Sequence, residues 1–243
     1  MKILYVSSVV NHHQIFFVKE LEYVFQGNVW YAALETYEQR RMVMNFPDFE
    51  KKWIVNIVKN RSLFDSLFIE ADVVLCHDRN FYLQMKERLS RGKLTFYFSE
   101  RWFKDPYGKV RLFNPRMLKL WYEFYHMSKY PNFFYLAQGK YAADDFKFMR
   151  ICSHRILNFG YFPCIQQHNK GEYLLPQGKI NILWCGRMLK CKNVPVLVKS
   201  FINIAKIRAN VHLTIVGQGE CEKIVLQLIS DYEDIIIRLG RPR

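Results

Sequence analysis

The sequence predicts an α/β protein made of two doubly wound domains with parallel sheets, the second of them incomplete. Short runs rich in valine, isoleucine, leucine and phenylalanine alternate with longer stretches that carry the spacing of amphipathic helices. The short runs are apolar without interruption, which is typical of parallel strands covered by helices on both faces. A polar, turn-rich segment after residue 165 interrupts the alternation, which then starts again.

Nine apolar runs predict strands, six before the interruption and three after it. They are Lys2–Ser7, Val29–Ala33, Asp72–Cys76, Leu94–Phe98, Phe133–Leu136, Arg155–Phe159, Ile180–Cys185, Val211–Val216 and Ile235–Leu239. Six amphipathic stretches predict helices between them: His12–Gln26, Phe81–Ser90, Pro115–Lys129, Lys140–Phe148, Val194–Ile207 and Glu220–Ser230.

These elements predict a first domain over residues 1–165, a linker over 166–179 and a second domain over 180–243. The linker combines a polar run with Pro176-Gln177-Gly178, a composition typical of interdomain segments. The residues after it supply a β-α-β-α-β unit, which is about half of a domain of ordinary size.

Composition and charge exclude several classes of protein. Half of the residues are hydrophobic, so the chain is neither a disordered tail nor a low-complexity polymer. The N-terminus lacks the pattern of a signal peptide, and no apolar run reaches the roughly 20 residues of a membrane span. The six cysteines form no Cys-x-x-Cys pair, so we expect reduced core thiols in a cytoplasmic protein.

One loop of the second domain combines features of a phosphate site. The predicted strand Ile180–Cys185 ends at Gly186, and Arg187 and Lys192 flank the loop that enters the next helix. Helix N-termini carry unpaired N–H groups and partial positive charge, so two cations there suit a diphosphate. A generic βαβ unit with two solvated cations is the alternative.

The second domain resembles the donor domain of the retaining nucleotide-sugar glycosyltransferases of the GT-B fold, in the family called glycosyl transferases group 1 (family 4). The family pattern is a strand, Gly-Arg-Leu, a lysine, a helix with a Ser-Phe pair, Leu-x-Ile-Val-Gly-x-Gly and a strand ending in Leu-Gly. The matching residues, in order, are Gly186, Arg187, Lys192, Ser200-Phe201, Gly217, Gly219 and Leu239-Gly240. Asn193 departs from the pattern, which usually has glycine there.

The resemblance implies two Rossmann-like domains of GT-B type and a glycosyltransferase of bacterial surface polysaccharide synthesis, acting with retention. Such an enzyme would transfer a sugar from a nucleotide-diphosphate sugar to a glycan or lipid-linked acceptor. Arg187 and Lys192 would hold the diphosphate, and no metal or other cofactor is expected. The family's pair of glutamates would lie beyond Arg243, so we expect this chain to be truncated and inactive.

Three polar turns predict a cleft in the first domain. Asn11, His12 and His13 follow the first predicted strand, His77 ends the third and Glu100 follows the fourth. Ligands of doubly wound folds bind at the carboxyl ends of the strands. We therefore assign these residues to the acceptor or the transferred sugar.

Each of these residues also has a structural alternative. The His12-His13 pair is also typical of a helix cap or a surface turn, and Asp78, next to His77, is a candidate helix cap. Glu100 has Arg101 and Lys104 as candidate ion-pair partners within its own loop. The histidines, with Cys76 and Asp78, match no standard zinc ligand set, so no metal is predicted.

Residues 91–131 contain nine Lys or Arg, three acidic residues and twelve aromatics. The aromatics include Trp102, Phe103, Tyr107, Trp121, Tyr122, Phe124 and Tyr125. A basic aromatic face suits the headgroup layer of an anionic membrane, so we expect peripheral attachment at the inner face of the membrane. A nucleic-acid surface and an ordinary solvated surface are the alternatives. No nucleic-acid-binding signature accompanies the charge, so a non-catalytic basic module is the second functional hypothesis.

Overall fold

The structure is a computed structural model that describes residues 1–10, 13–35, 51–104, 107–163 and 178–239. The chain divides into two compact units, Met1–Ile165 and Gln166–Arg243. Each unit contains a parallel sheet and the helices that connect its strands. The predicted α/β class is therefore confirmed.

The described parts of the first unit contain seven strands and five α-helices. Along the chain they are β1 (Ile3–Val9), α1 (Ile15–Phe25), β2 (Val29–Glu35), β3 (Ile54–Asn56), α2 (Arg61–Glu70), β4 (Val73–Cys76), α3 (Tyr82–Ser90), β5 (Leu94–Ser99), α4 (Pro115–Met127), β6 (Phe133–Gln138), α5 (Lys140–Phe148) and β7 (Ile156–Phe159). Short 3-10 helices lie at Arg79–Phe81 and Gly108–Phe113.

The seven strands are parallel and follow the order β3-β2-β1-β4-β5-β6-β7. This is the order of a doubly wound sheet, in which the chain reverses direction across the sheet beside β1. Ile3 accordingly pairs with Val29 on one side and with Val73 on the other. At the carboxyl ends of β1 and β4, the Ser8 hydroxyl donates a hydrogen bond to Asp78, with an oxygen–oxygen distance of 3.2 Å. Ligands of such sheets bind at this reversal point.

Alternating side chains of β1 belong to two separate hydrophobic clusters. Leu4 and Val6 pack in the cluster that contains the apolar faces of α2, α3, α4 and α5. Ile3 and Tyr5 pack in the cluster that contains residues of α1. Because successive side chains of a strand point to opposite faces, the sheet is covered on both sides.

The second unit contains a three-stranded parallel sheet in its described part. Its elements are β8 (Ile180–Cys185), α6 (Val194–Ala205), β9 (Val211–Val216), α7 (Glu222–Ile229) and β10 (Ile236–Leu239), with a 3-10 turn at Lys190–Lys192. The strand order is β10-β9-β8, so the unit repeats the β3-β2-β1 arrangement of the first. Val198 and Phe201 of α6 pack with Leu213 and Ile215 of β9 in its core.

The prediction that every strand is buried on both faces is wrong for the edge strands β7 and β10, where Leu157 and Ile237 are exposed, and most clearly for β8. Ile180, Leu183 and Cys185 on this strand are exposed, and the exposed fraction of Leu183 is 66%. In the described part of the second unit β8 is an edge strand, paired only with β9. The apolar composition of β8 therefore did not indicate burial on both faces.

The cysteine prediction is correct for three thiols and wrong for two. Cys76, Cys152 and Cys221 are buried, whereas Cys185 and Cys191 are exposed. These five thiols are unpaired in the structure. Cys164 lies outside the described residues.

Two elements of the first unit were not predicted. Strand β3 extends the sheet by pairing with β2, and α2 buries Phe64, Leu67 and Phe68. Most predicted linker residues, 166–177, lie outside the described part of the chain.

Candidate functional site

The loop between β8 and α6 contains the predicted diphosphate residues. Gly186 donates a backbone hydrogen bond to Val216 at 2.9 Å, which holds the end of β8 against the end of β9. The chain then forms a tight turn, in which the Leu189 N–H donates to the Arg187 carbonyl at 2.8 Å. The 3-10 turn Lys190–Lys192 follows, and α6 begins at Val194.

Three cations of this loop are exposed: Arg187, Lys190 and Lys192. Within the described ranges none of the three has a carboxylate within ion-pair distance. Glu220 contacts the backbone of this loop instead, because its carboxylate accepts the Lys190 N–H at 2.7 Å. The loop therefore presents positive charge at a helix N-terminus, as an anion site requires.

Asn193 keeps the loop geometry although the family pattern has glycine there. Its backbone is left-handed, with φ 49° and ψ 36°, and it is the N-cap of α6. Asparagine tolerates this conformation better than most residues. The departure from the family pattern therefore leaves the entry to the helix intact.

In the first unit, polar side chains from separate loops meet at the carboxyl edge of the sheet. His77 follows β4, Glu100 follows β5 and Tyr161 follows β7. The Tyr161 hydroxyl donates to the Glu100 carboxylate, and the Tyr161 ring lies 4.8 Å from the ring of His13. The structure thus brings His13 and Glu100 together through Tyr161, which no sequence pattern singled out. His77 lies at the end of β4, the strand that pairs with β5 ahead of Glu100.

Glu100 is half-buried and charged at neutral pH. Hydrogen bonds from Lys104 and Tyr161 hold the pKa of Glu100 below its ordinary value, and the positive charge of Lys104 adds to the effect. Burial, with the Glu100 contact, raises the pKa of Tyr161. A carboxylate with a lowered pKa is a weak base, so Glu100 is suited to accepting a hydrogen bond from a sugar hydroxyl.

The structural alternatives for Glu100 and Asp78 are both present. Glu100 forms an ion pair with Lys104 in its own loop. Arg101 instead lies 3.7 Å from buried Asp145 of α5, measured between Nε and Oδ2. Asp78 caps the 3-10 helix Arg79–Phe81, because its Oδ1 accepts the Asn80 N–H at 2.9 Å.

Asp145 also fixes the loop that carries Glu100. Its Oδ2 accepts the backbone N–H groups of Trp102 and Phe103, at 2.9 and 3.0 Å. These two hydrogen bonds hold the chain directly after Glu100. Asp145 lies more than forty residues further along the chain, so no local pattern indicated this role.

His77 has a defined orientation. Its Nδ1 lies 2.8 Å from the Phe98 carbonyl oxygen. A carbonyl only accepts, so Nδ1 carries the proton and Nε2 of the neutral ring is left as an acceptor. His77 is half-buried and stacks on the Phe98 ring at 5.1 Å. It can therefore accept a hydrogen bond from a ligand hydroxyl.

Two predicted site residues, Asn11 and His12, lie outside the described residues. No group of three or more histidine, cysteine or acidic side chains within the described ranges is arranged to hold a metal ion.

Comparison with known proteins shows similarity in structure only. No protein-family model matches the sequence, and no curated protein matches it. The Anabaena protein HepE, solved in complex with UDP, has a TM-score of 0.64 at 10% identity. The match covers 99% of this chain and 69% of HepE. A second HepE structure, with UDP and glucose, has a TM-score of 0.63 at 11% identity.

Two further solved structures have similar scores. The lipopolysaccharide outer core galactosyltransferase WaaB has a TM-score of 0.59 at 16% identity, covering 100% of this chain and 68% of WaaB. A putative UDP-N-acetylglucosamine 2-epimerase from Listeria monocytogenes has a TM-score of 0.58 at 12% identity, covering 99% of this chain and 69% of the epimerase. These likenesses show the fold. The predicted Rossmann-like, GT-B class is thereby confirmed.

Proposed function

We propose that this chain has the acceptor-side domain and the donor diphosphate loop of a retaining glycosyltransferase. Such an enzyme moves a sugar from a nucleotide-diphosphate sugar to a glycan or lipid-linked acceptor in bacterial surface polysaccharide synthesis. The observation that carries the proposal is the loop from Gly186 to Lys192. It exposes cations without carboxylate partners in the described chain, at a helix N-terminus, on a fold shared with a UDP-bound protein. The first unit supplies polar groups suited to sugar hydroxyls.

The proposed chemistry needs charge stabilisation more than proton transfer. As the bond from sugar to diphosphate breaks, negative charge builds on the leaving phosphate. Arg187 offers a two-pronged contact and Lys192 a point charge, so the pair would stabilise that phosphate without a metal. In the first unit, His77 and Glu100 would accept hydrogen bonds from hydroxyl groups of the transferred sugar or of the acceptor.

The first prediction concerns the two cations. Arg187→Ala and Lys192→Ala should each weaken UDP binding about tenfold to a hundredfold, because a hydrogen bond to a charged group contributes about 1.5–3 kcal/mol. Isothermal titration calorimetry with UDP measures the effect, at matched circular dichroism. The matched control is Lys199→Ala, which removes an exposed cation from α6 and should leave the affinity unchanged. Unchanged affinity in both loop variants would contradict the diphosphate assignment.

A UDP-sugar epimerase is a second candidate, favoured by the likeness to the Listeria protein. The two activities differ in their need for an acceptor. An epimerase converts UDP-N-acetylglucosamine alone, whereas a transferase releases UDP only when a hydroxyl acceptor is supplied. Chromatography of the sugar nucleotide after incubation without acceptor separates them.

We also propose peripheral attachment to an anionic membrane through an exposed patch over residues 107–122. The aromatic face is smaller than predicted, because Trp102, Phe103 and Phe124 are buried in the core. Phe113 remains 85% exposed and Tyr122 is exposed, among several cations. No helix in the described ranges is long and apolar enough to cross a bilayer.

The second prediction tests this patch. The chain should co-sediment with vesicles that contain phosphatidylglycerol, and salt should weaken the attachment by screening. Phe113→Ser should lower the partition coefficient about tenfold, because a buried phenylalanine ring contributes about 1.5–3 kcal/mol. The matched control is Ile207→Ser in the second unit, since Ile207 is also 85% exposed. Equal partitioning to neutral and anionic vesicles would contradict membrane attachment, and tight binding to single-stranded DNA at moderate salt would favour the basic-module hypothesis.

A further inference from the structure

A cavity of about 470 Å³ in the first unit is lined by three arginines, Arg79, Arg111 and Arg116. Arg79 belongs to the 3-10 helix after β4, and the other two belong to the segment between β5 and the first turn of α4. Among the described residues no aspartate or glutamate lines the cavity. Three guanidinium groups around one cavity repel one another, so an anion between them is favourable.

The guanidinium groups are available to a ligand. Arg79 and Arg116 are exposed, and within the described ranges neither side chain has a hydrogen bond or an ion pair. Arg111 uses one nitrogen, Nη1, to donate to the Trp102 carbonyl at 3.2 Å. This hydrogen bond fixes the Arg111 side chain at the cavity and leaves its other nitrogens for an anion. A planar guanidinium matches two oxygens of a phosphate at once.

The same cavity also has an apolar lining, formed by Val110, Met117 and Leu120. Leu120 is buried, Met117 is half-buried, and Val110 is 65% exposed. A free inorganic phosphate would use the arginines and leave this surface in contact with water. An apolar chain attached to the phosphate would cover it.

The cavity is connected to the candidate acceptor residues by short stretches of chain. Arg79 lies two residues after His77, and Arg111 is bonded to Trp102, two residues after Glu100. The cavity and the polar cluster therefore share the carboxyl ends of β4 and β5.

We propose that this cavity binds a phosphate group carried on an apolar chain, and that the acceptor of the transfer is a glycan attached to such a lipid phosphate. A hydroxyl oxygen of that glycan bonds to the anomeric carbon as the bond from that carbon to the donor diphosphate breaks, and the hydroxyl proton goes to the leaving diphosphate. The binding site stands on the arginines and the apolar lining alone. Only the assignment of the ligand as acceptor rests on the proposed glycosyltransferase function.

Calorimetry with decyl phosphate below its critical micelle concentration tests the site. A monomeric ligand reports on the cavity rather than on adsorption to a vesicle surface. Arg79→Gln and Arg116→Gln should each weaken binding about tenfold, and the double variant at least about thirtyfold. The matched control is Arg208→Gln, which removes an exposed cation from the second unit and should not change the affinity.

Two further ligands separate the sources of phosphate. Decyl maltoside, which has the chain without the charge, and inorganic phosphate, which has the charge without the chain, should both bind at least about tenfold more weakly than decyl phosphate. Equal binding of inorganic phosphate would overturn the lipid part of the proposal. Equal decyl phosphate affinity in wild type and the double variant would overturn the site.

Calorimetry with UDP, the test of the donor site, keeps the test of the phosphate site independent of the proposed function. If Arg187→Ala does not change UDP binding but Arg79→Gln weakens decyl phosphate binding, the donor assignment fails and the phosphate site stands. If Arg187→Ala weakens UDP binding but Arg79→Gln does not change decyl phosphate binding, the phosphate site fails and the donor assignment stands.

Discussion

Gly217→Ala should unfold the second unit while the first unit stays folded. A Cβ at Gly217 would lie 1.9 Å from the Gly186 carbonyl oxygen and 3.0 Å from its carbon. The obstacle is backbone at the paired ends of β8 and β9, so it cannot rotate away. Gly217 also has φ +137°, where other residues are strained. Clash and strain together should cost about 4 kcal/mol, close to the whole stability of a small domain.

Hydrogen exchange measured by mass spectrometry distinguishes the two units. Peptides from residues 180–239 should lose protection in Gly217→Ala, and peptides from residues 1–163 should keep theirs. The matched control is Gly178→Ala, where φ is +83° but no atom of the described residues lies within 4 Å of the added carbon. That variant should cost only about 1 kcal/mol. Full protection of the second unit in Gly217→Ala would contradict the prediction.

The glycine spacing of the second unit was predictable, but its physical reason was not. The sequence places Gly217 and Gly219 after a strand, in a pattern that resembles a nucleotide-sugar site. In the structure these glycines let two loops touch through their backbones. A Cβ at Gly219 would lie 2.8 Å from the Met188 carbonyl oxygen. By contrast, a Cβ at Gly186 would make only ordinary contacts with Trp184.

Nine of the ten strands were predictable because each contains a short run of mostly apolar residues. Strand β3 has only three residues, too few for a periodic signal, and its place is set by pairing with β2. Helix α2 did carry a signal, because Phe64, Leu67 and Phe68 have the i, i+3, i+4 spacing of a buried helix face.

The candidate site was predictable where a residue directly follows a strand. His77 and Glu100 were found in this way, since the carboxyl ends of parallel strands meet at one edge. Tyr161 contacts Glu100 across 61 positions of sequence, and no local pattern reveals that contact. The prediction of an exposed aromatic face over residues 91–131 was partly wrong for a related reason. Composition does not distinguish a core ring such as Phe124 from an exposed ring such as Phe113.

Arg88→Met should destabilise the first unit by about 4 kcal/mol. The Arg88 side chain is fully buried on α3, and burial lowers its pKa to about 10, so it is charged at neutral pH. Its Nη1 donates to the carbonyls of Phe68 at 2.6 Å, Ile69 at 3.2 Å and Ala71 at 2.9 Å. Its Nη2 donates to Leu94 at 3.1 Å. One side chain therefore ties the end of α2 to the start of β5.

Methionine keeps much of the volume but donates no hydrogen bond, so buried carbonyls at the end of α2 lose their partner. Each unsatisfied carbonyl costs about 1–3 kcal/mol, and partial access of water keeps the total near about 4 kcal/mol.

Urea unfolding followed by circular dichroism, with hydrogen exchange of peptides from residues 61–99, measures the loss of stability. Lys86→Met is the matched control, because Lys86 lies on the same helix but is exposed, and it should change stability by less than about 0.5 kcal/mol. Arg88→Lys should fall between the two, since one ammonium keeps the charge but cannot reach all of the carbonyls. Equal unfolding midpoints for Arg88→Met and Lys86→Met would show that the carbonyls find other partners, and that Arg88 does not hold α2 to the sheet.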